Sequence, residues 1–299
     1  MTESIKPKLS SPVCHIAPSR REIVATAQFE RTVSIWDLKQ HVKLAEFDTI
    51  LDYGGQRLIL DHEGRFCITA AYHVHGIACY NARDGGVVWQ HKNLKKAQIL
   101  TVSRNGELVF CGFDEKSCVV LEINSGIEVT RLRGVRSVFE SPYQPLRLLD
   151  KMVPEIQEDD GTLICKIKRL KFSFLSITFA PDTCCISEVV GPVRCFDLKT
   201  SLERWRYTPP QGSHVLRLGY SNRTGLFYGV EWPYQHGGDK KLLRLDPRNG
   251  ETHIVSNLGQ VSKTEFCLDG NFILTSDGNV VDLSTGKLTN QLPFIDKIL

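Results

Sequence analysis

Runs of four to eight residues rich in Val, Ile, Phe, Tyr and Thr alternate along the chain with short polar segments carrying Asn, Asp, Ser and Gly. Segments 22–27, 66–72, 108–113, 184–190 and 226–230 read as β-strands, because β-branched and aromatic side chains suit a pleated, half-buried surface. Helical periodicity is confined to one candidate, 146–153, which Pro154 stops. The strand pattern carries a repeated unit: an apolar residue, a polar anchor, and then a small turn before the next strand. It occurs seven times, with anchors at Asp37, Asn81, Glu122, Gln157, Asp197, Asp246 and Asp282, each preceded by an apolar residue. A second turn signal lies upstream of most anchors, as at 61–64, 103–106, 180–182, 221–225 and 268–270, where Asn or Asp and Gly supply the positive φ of a tight turn.

Successive anchors are 35 to 49 residues apart, with a mean of about 41, which is the length of a four-stranded propeller blade. Seven such units predict an all-β protein, a seven-bladed β-propeller of four-stranded antiparallel blades. The expected organisation is an N-terminal tail 1–10, one propeller over 11–293 and a C-terminal tail 294–299, the tails loosely held. Blades are expected at 11–50, 51–92, 93–134, 135–170, 171–210, 211–258 and 259–293. Blade 4 is predicted to be irregular, with Gln157 as its anchor and Pro142, Pro145 and Pro154 where inner strands should pair, since Pro cannot donate to a ladder. Blade 1 owns four strands from near Val13, so ring closure by exchange of a strand between the termini is not expected.

With Trp36-Asp37 as its one literal Trp-Asp pair and the repeat over 11–293, the chain resembles the WD-repeat-like superfamily of seven-bladed propellers. The Gly-His dipeptide typical of that superfamily is missing from the blade starts, which marks the resemblance as that of a divergent relative. The resemblance implies a rigid scaffold for partners, on a fold that carries many unrelated functions.

Composition adds limits to this picture. With 41% hydrophobic and 24% charged residues and a net charge of +3, the 299-residue chain has the material for a large core, and dominant disorder is excluded. Residues 1–11 contain no apolar run of signal-peptide type, and the most apolar stretch, 172–193, is interrupted by Pro181, Asp182, Glu188 and Pro192. No transmembrane segment is expected. Ten cysteines include no C-x-x-C pair, and Cys67, Cys79, Cys111, Cys118 and Cys195 occupy strand positions that suit small apolar residues. The reading is reduced core thiols and a cytoplasmic, monomeric protein.

The common motifs for acyl transfer, zinc proteolysis, phosphate loops, dinucleotide binding and EF-hand calcium are all missing, so no enzyme, no catalytic residue and no cofactor is predicted. The rival reading is a propeller enzyme that binds a metal or small ligand at the central channel. His73 and His75 share a strand face in the manner of metal ligands, but lack an identifiable third ligand and read as loop residues. The seven anchors read as structural, accepting backbone hydrogen bonds in their turns. Trp89 and Trp205, on fourth strands, read as packing between blades.

Two features point to partner binding. Segments 91–96, 131–136 and 166–171, associated with three successive blades, carry ten Lys or Arg and no acid, and form a predicted basic crescent. Its candidate contacts are Lys92, Lys95, Lys96, Arg131, Arg133, Arg136, Lys168, Arg169 and Lys171. The second feature is the longest loop, 231–240, whose Trp232, Tyr234 and His236 suit an anchoring role. Phe29-Glu30-Arg31 and Asp52-Tyr53-Gly54-Gly55 are expected as neighbours on the same face. The expected function is a protein-interaction scaffold or adaptor, or a neutralising partner of immunity or inhibitor type, bound to another protein with an acidic surface. Peripheral binding to anionic lipid is a further alternative. Nucleic acid is not expected, because no aromatic residues interleave the basic segments for base stacking.

Overall fold

A computed structural model of the chain describes residues 13, 15–27, 31–52, 57–71, 75–113, 117–167, 174–189, 191–200, 202–234, 237–267 and 270–292. The strand runs pair into seven antiparallel sheets of four strands each, and within every sheet spatial order follows chain order. Blade 1 comprises β1 (His15–Pro18), β2 (Ile23–Ala27), β3 (Thr32–Asp37) and β4 (Val42–Asp48). Blade 2 comprises β5 (Leu58–Leu60), β6 (Phe66–Ala71), β7 (Gly76–Asn81) and β8 (Val87–His91). Blade 3 has β9 (Ala97–Val102), β10 (Leu108–Phe113), β11 (Ser117–Glu122) and β12 (Glu128–Arg133). Blade 4 has β13 (Val138–Glu140), β14 (Leu146–Leu149), β15 (Glu155–Glu158) and β16 (Leu163–Lys166). Blade 5 follows with β17 (Phe174–Phe179), β18 (Thr183–Glu188), β19 (Val193–Asp197) and β20 (Glu203–Tyr207). Blade 6 contains β21 (His214–Ser221), β22 (Leu226–Trp232), β23 (Lys240–Leu245) and β24 (Thr252–Gly259). Blade 7 contains β25 (Thr264–Phe266), β26 (Phe272–Thr275), β27 (Asn279–Asp282) and β28 (Leu288–Gln291). The fold is an all-β seven-bladed propeller, and β24 extends one residue beyond the 258 expected for the end of blade 6.

Second and third strands are buried along nearly their whole length, as in β6, β7 and β18, because a neighbouring blade covers each face of them. Fourth strands form the rim and are mostly exposed, as in β4 and β12. This burial explains why inner strands read as continuous apolar runs while rim strands mix charge with Val and Leu. The described core divides into seven hydrophobic clusters, each shared by two adjacent blades. Ring closure uses one of them: Val13, Ile16, Val24 and Trp36 of the N-terminal blade pack against Cys267, Leu274, Val280 and Leu292. β1 lies beside β25, and Ser262 Oγ donates to the carbonyl of Val13 at 3.1 Å, without any exchange of strands.

The structure corrects the reading of blade 4 at three points. The helix candidate 146–153 is instead β14 followed by bends at 151–153. The prolines lie in the connections, Pro142 and Pro145 between β13 and β14 and Pro154 between β14 and β15, so no ladder loses a donor and the sheet keeps four strands. Its strands are short, of three or four residues, but those of blade 7 are equally short, so blade 4 is a regular four-stranded blade and not the irregular one expected. Gln157 is not a turn anchor, because it sits inside β15 and donates to Glu155 Oε2 at 2.9 Å. Asp160 takes the turn role there, accepting from the amide of Thr162 at 2.7 Å.

Candidate functional site

The lower turns are held by the anchor side chains. Asp37 Oδ1 accepts from the amides of Lys39 and Gln40, both at 2.8 Å, and Asp197 Oδ1 accepts from those of Lys199 and Thr200. Asn81, Asp246 and Asp282 accept from the amides of Arg83, Arg248 and Thr285. Glu122 differs, since its longer side chain accepts from the Ser125 hydroxyl rather than from a backbone amide. Neighbouring turns are clamped by indoles: Trp89 Nε1 donates to the Ile123 carbonyl at 2.6 Å, and Trp205 Nε1 donates to that of Pro247 at 2.9 Å. These groups serve the lower face as structure, and the upper face carries the connections between blades and the loops joining second to third strands.

On the upper face the basic segments separate into two kinds of cation. Lys92, Lys95 and Lys96 occupy the exposed connection from β8 to β9, and exposed Arg133 ends β12; among the described residues no carboxylate pairs with these four. Arg131 lies within β12 and pairs with Glu128 at 3.0 Å. Arg136 pairs with the buried Asp150 at 2.6 Å, and Lys166 reaches Glu155 at 3.4 Å. The absence of acid from the segments 131–136 and 166–171 is therefore a local property of the sequence, which Glu128, Asp150 and Glu155 reverse in space. Lys168, Arg169 and Lys171 lie outside the described residues, as do His236, His73, Phe29, Glu30 and residues 53–55. Arg31 has a positive φ of 67°, and Asp52 pairs with Arg57 at 2.6 Å.

Trp232 and Tyr234 are brought together with a residue missing from the sequence reading, His214 at the start of β21. Tyr234 stacks on His214 with centroids 4.8 Å apart, and His214 meets the Trp232 ring edge-on at 5.4 Å. Lys240 Nζ lies 5.8 Å from the Trp232 centroid. Next to Trp232 in sequence, the buried Glu231 accepts from Tyr207 at 2.7 Å, and the Tyr207 phenol is pushed up by burial and by that carboxylate.

First strands from all seven blades line a central channel of about 380 Å³. Its upper mouth is crowded with cations from distant parts of the chain. Arg57, buried, pairs with Asp52 and donates to Gln98 Oε1 at 2.9 Å, and Arg217 pairs with Glu265 at 3.0 Å. His15 is buried near Lys263 and Arg57, and burial first, then those two charges, push its imidazole down to about 4. A second recess of about 440 Å³, between Trp232, Gly237, Gly238 and the connection 260–263, shares Arg217, Lys263 and Thr264 with the channel. Among the described residues no three His, Cys, Asp or Glu side chains converge as metal ligands. The nine described cysteines are free and buried. No helix among the described residues is long and apolar enough to cross a membrane.

These features define a class, a seven-bladed propeller with a cation-rich upper face and channel mouth. In comparisons with known proteins, no family model and no curated protein matches the chain. Among solved structures it is similar to the computationally designed Ika8 protein, with a TM-score of 0.65 and 15% identity over 96% of this chain and 88% of that one. At that identity the likeness is one of fold alone.

Proposed function

We propose that this chain is a non-catalytic interaction propeller, a scaffold, adaptor or neutralising subunit that presents its upper face to another protein with an acidic surface. The observation that carries this reading is the charge sorting on that face. Lys92, Lys95, Lys96 and Arg133 are exposed and have no carboxylate partner among the described residues, whereas the neighbouring arginines are paired. Exposed, unneutralised cations on a rigid face attract an acidic partner and speed its encounter. A divergent kinship with WD-repeat propellers accompanies this reading, supported by Trp36-Asp37 and by the repeated aspartate-held turns.

The test is affinity capture by the tagged protein from extract of its native cell, with quantification by mass spectrometry. One protein recovered in stoichiometric amount, and lost when Lys95, Lys96 and Arg133 are changed together to Glu, is the expected outcome. Arg136 is left intact in that variant, because it neutralises Asp150. Retention of the same partner by the folded triple variant would refute the assignment to this face.

A further inference from the structure

Three cations are buried among the described residues, and two of them have carboxylates: Arg57 has Asp52, and Arg194 has Glu188 and Glu203. Lys240 has none, although it is only 5% exposed. Its ammonium, which carries three donors, gives two to the carbonyls of Val261 and Ser262, at 2.5 and 2.9 Å. The third finds no acceptor among the described residues, and the Trp232 ring centroid lies 5.8 Å from the ammonium. A buried ammonium with no counter-charge is costly, and two further cations beside it raise the cost. Lys263 and Arg217 are those cations, and Arg217 is paired with Glu265.

Lys240, Lys263 and Arg217 line one recess, and among the described residues its lining contains no carboxylate. Blade 6 supplies the wall through Trp232 and the Gly237-Gly238 pair, and the connection into blade 7 supplies Ser262, Lys263 and Thr264. The recess adjoins the channel mouth, so it is open to a group approaching the upper face.

We infer that the recess between blades 6 and 7 is an oxyanion site, which takes a carboxylate or phosphate against Lys240 and Lys263 with Trp232 as an apolar wall. This deepens the function proposed above by giving the acidic group of the partner a seat, and the same chemistry accommodates a free small anion. The bound oxyanion accepts the third N–H of Lys240 and supplies the missing counter-charge. Burial, with Lys263 and Arg217, pushes the Lys240 ammonium down to about 8. An anion raises it again, so binding takes up protons near that pH and weakens as the pH rises above it.

Calorimetric titration of the full chain with inorganic phosphate, succinate and an Asp/Glu decapeptide tests this, with an Asn/Gln decapeptide as control. Each titration is repeated in buffers of different ionisation enthalpy and on the K240M, K263Q and K95E/K96E/R133E variants. Expected is saturable binding of at least one anionic probe, with proton uptake near pH 8 and about tenfold or greater weakening in K240M and K263Q. K240M is expected to melt at a higher temperature than the unaltered chain without ligand, which separates lost binding from lost folding. Binding of phosphate or succinate marks the free anion as source, and binding of the acidic peptide alone marks a partner's side chain. The inference is overturned if no anionic probe binds, or if binding survives both K240M and K263Q. Acidic-peptide binding that K95E/K96E/R133E abolishes and K240M spares would overturn the recess while leaving the interaction face standing.

Discussion

His15 is a base that the folded chain keeps neutral. An unfolded chain takes up a proton there near pH 6.5, whereas the folded chain holds its imidazole down at about 4, so between those values the unfolded state binds more protons. Stability therefore falls as the pH drops through this window, by about 3 kcal/mol at most. Urea midpoints measured across the window should show this slope in the unaltered chain and a shallower one in His15→Gln. Arg136 and Arg133, close in sequence, are separated in consequence. Arg136→Ala strips the ion-pair partner from Asp150, which is 6% exposed, and is expected to destabilise the fold by about 3 kcal/mol. Arg133→Glu alters an exposed rim position and should leave stability within about 0.5 kcal/mol, as chemical denaturation would show.

At the scale of elements, two of the third-to-fourth-strand turns, those of blades 3 and 6, are joined to the neighbouring blade by tryptophan. Trp89 packs on the turn of blade 3 and donates to Ile123, and Gly126 lies beneath its ring with a φ of 72°. A Cβ added there would stand 2.7 Å from the indole. Gly126→Val combines this clash with a left-handed backbone, and Trp89→Ala leaves a void. Each is expected to lower stability by about 3 kcal/mol, and the loss in the double variant should fall short of the sum, because both act on one contact. Thermal unfolding of the two single variants and the double variant is the check. The same arrangement recurs with Trp205 over Gly250, so the outcome applies to a second interface.

At the scale of the whole molecule, each blade is made of consecutive strands, and the ring is held by seven clusters between blades. Ending the chain after Gly259 removes blade 7 and uncovers two of these clusters, leaving apolar faces on blades 6 and 1. The truncated chain is expected to aggregate or to lose its cooperative transition, to be checked by size-exclusion chromatography and calorimetry. A soluble, cooperatively melting product would show that the ring does not depend on closure.

The number of blades and the strand character of the segments were legible in the sequence, because pairing within a blade joins neighbouring segments through turns that announce themselves with Asn, Asp and Gly. Asp37, Asp197, Asp246 and Asp282 could be picked out for the same reason: each acts on amides two or three residues away. Gln157 was misplaced because residues 157–160 are all polar and the one that accepts a turn amide is Asp160, and the helix candidate at 146–153 failed because so short an apolar run does not distinguish a buried strand from a helix. Tertiary structure alone decided the charges. Asp150 neutralises Arg136 across a hairpin, and Lys240 is left buried against Lys263 and Arg217. Likewise, His15 meets Lys263 only where the ring closes. Turn chemistry is local and therefore written along the chain, whereas burial and electrostatic neighbours are set by which blades the closed ring brings side by side.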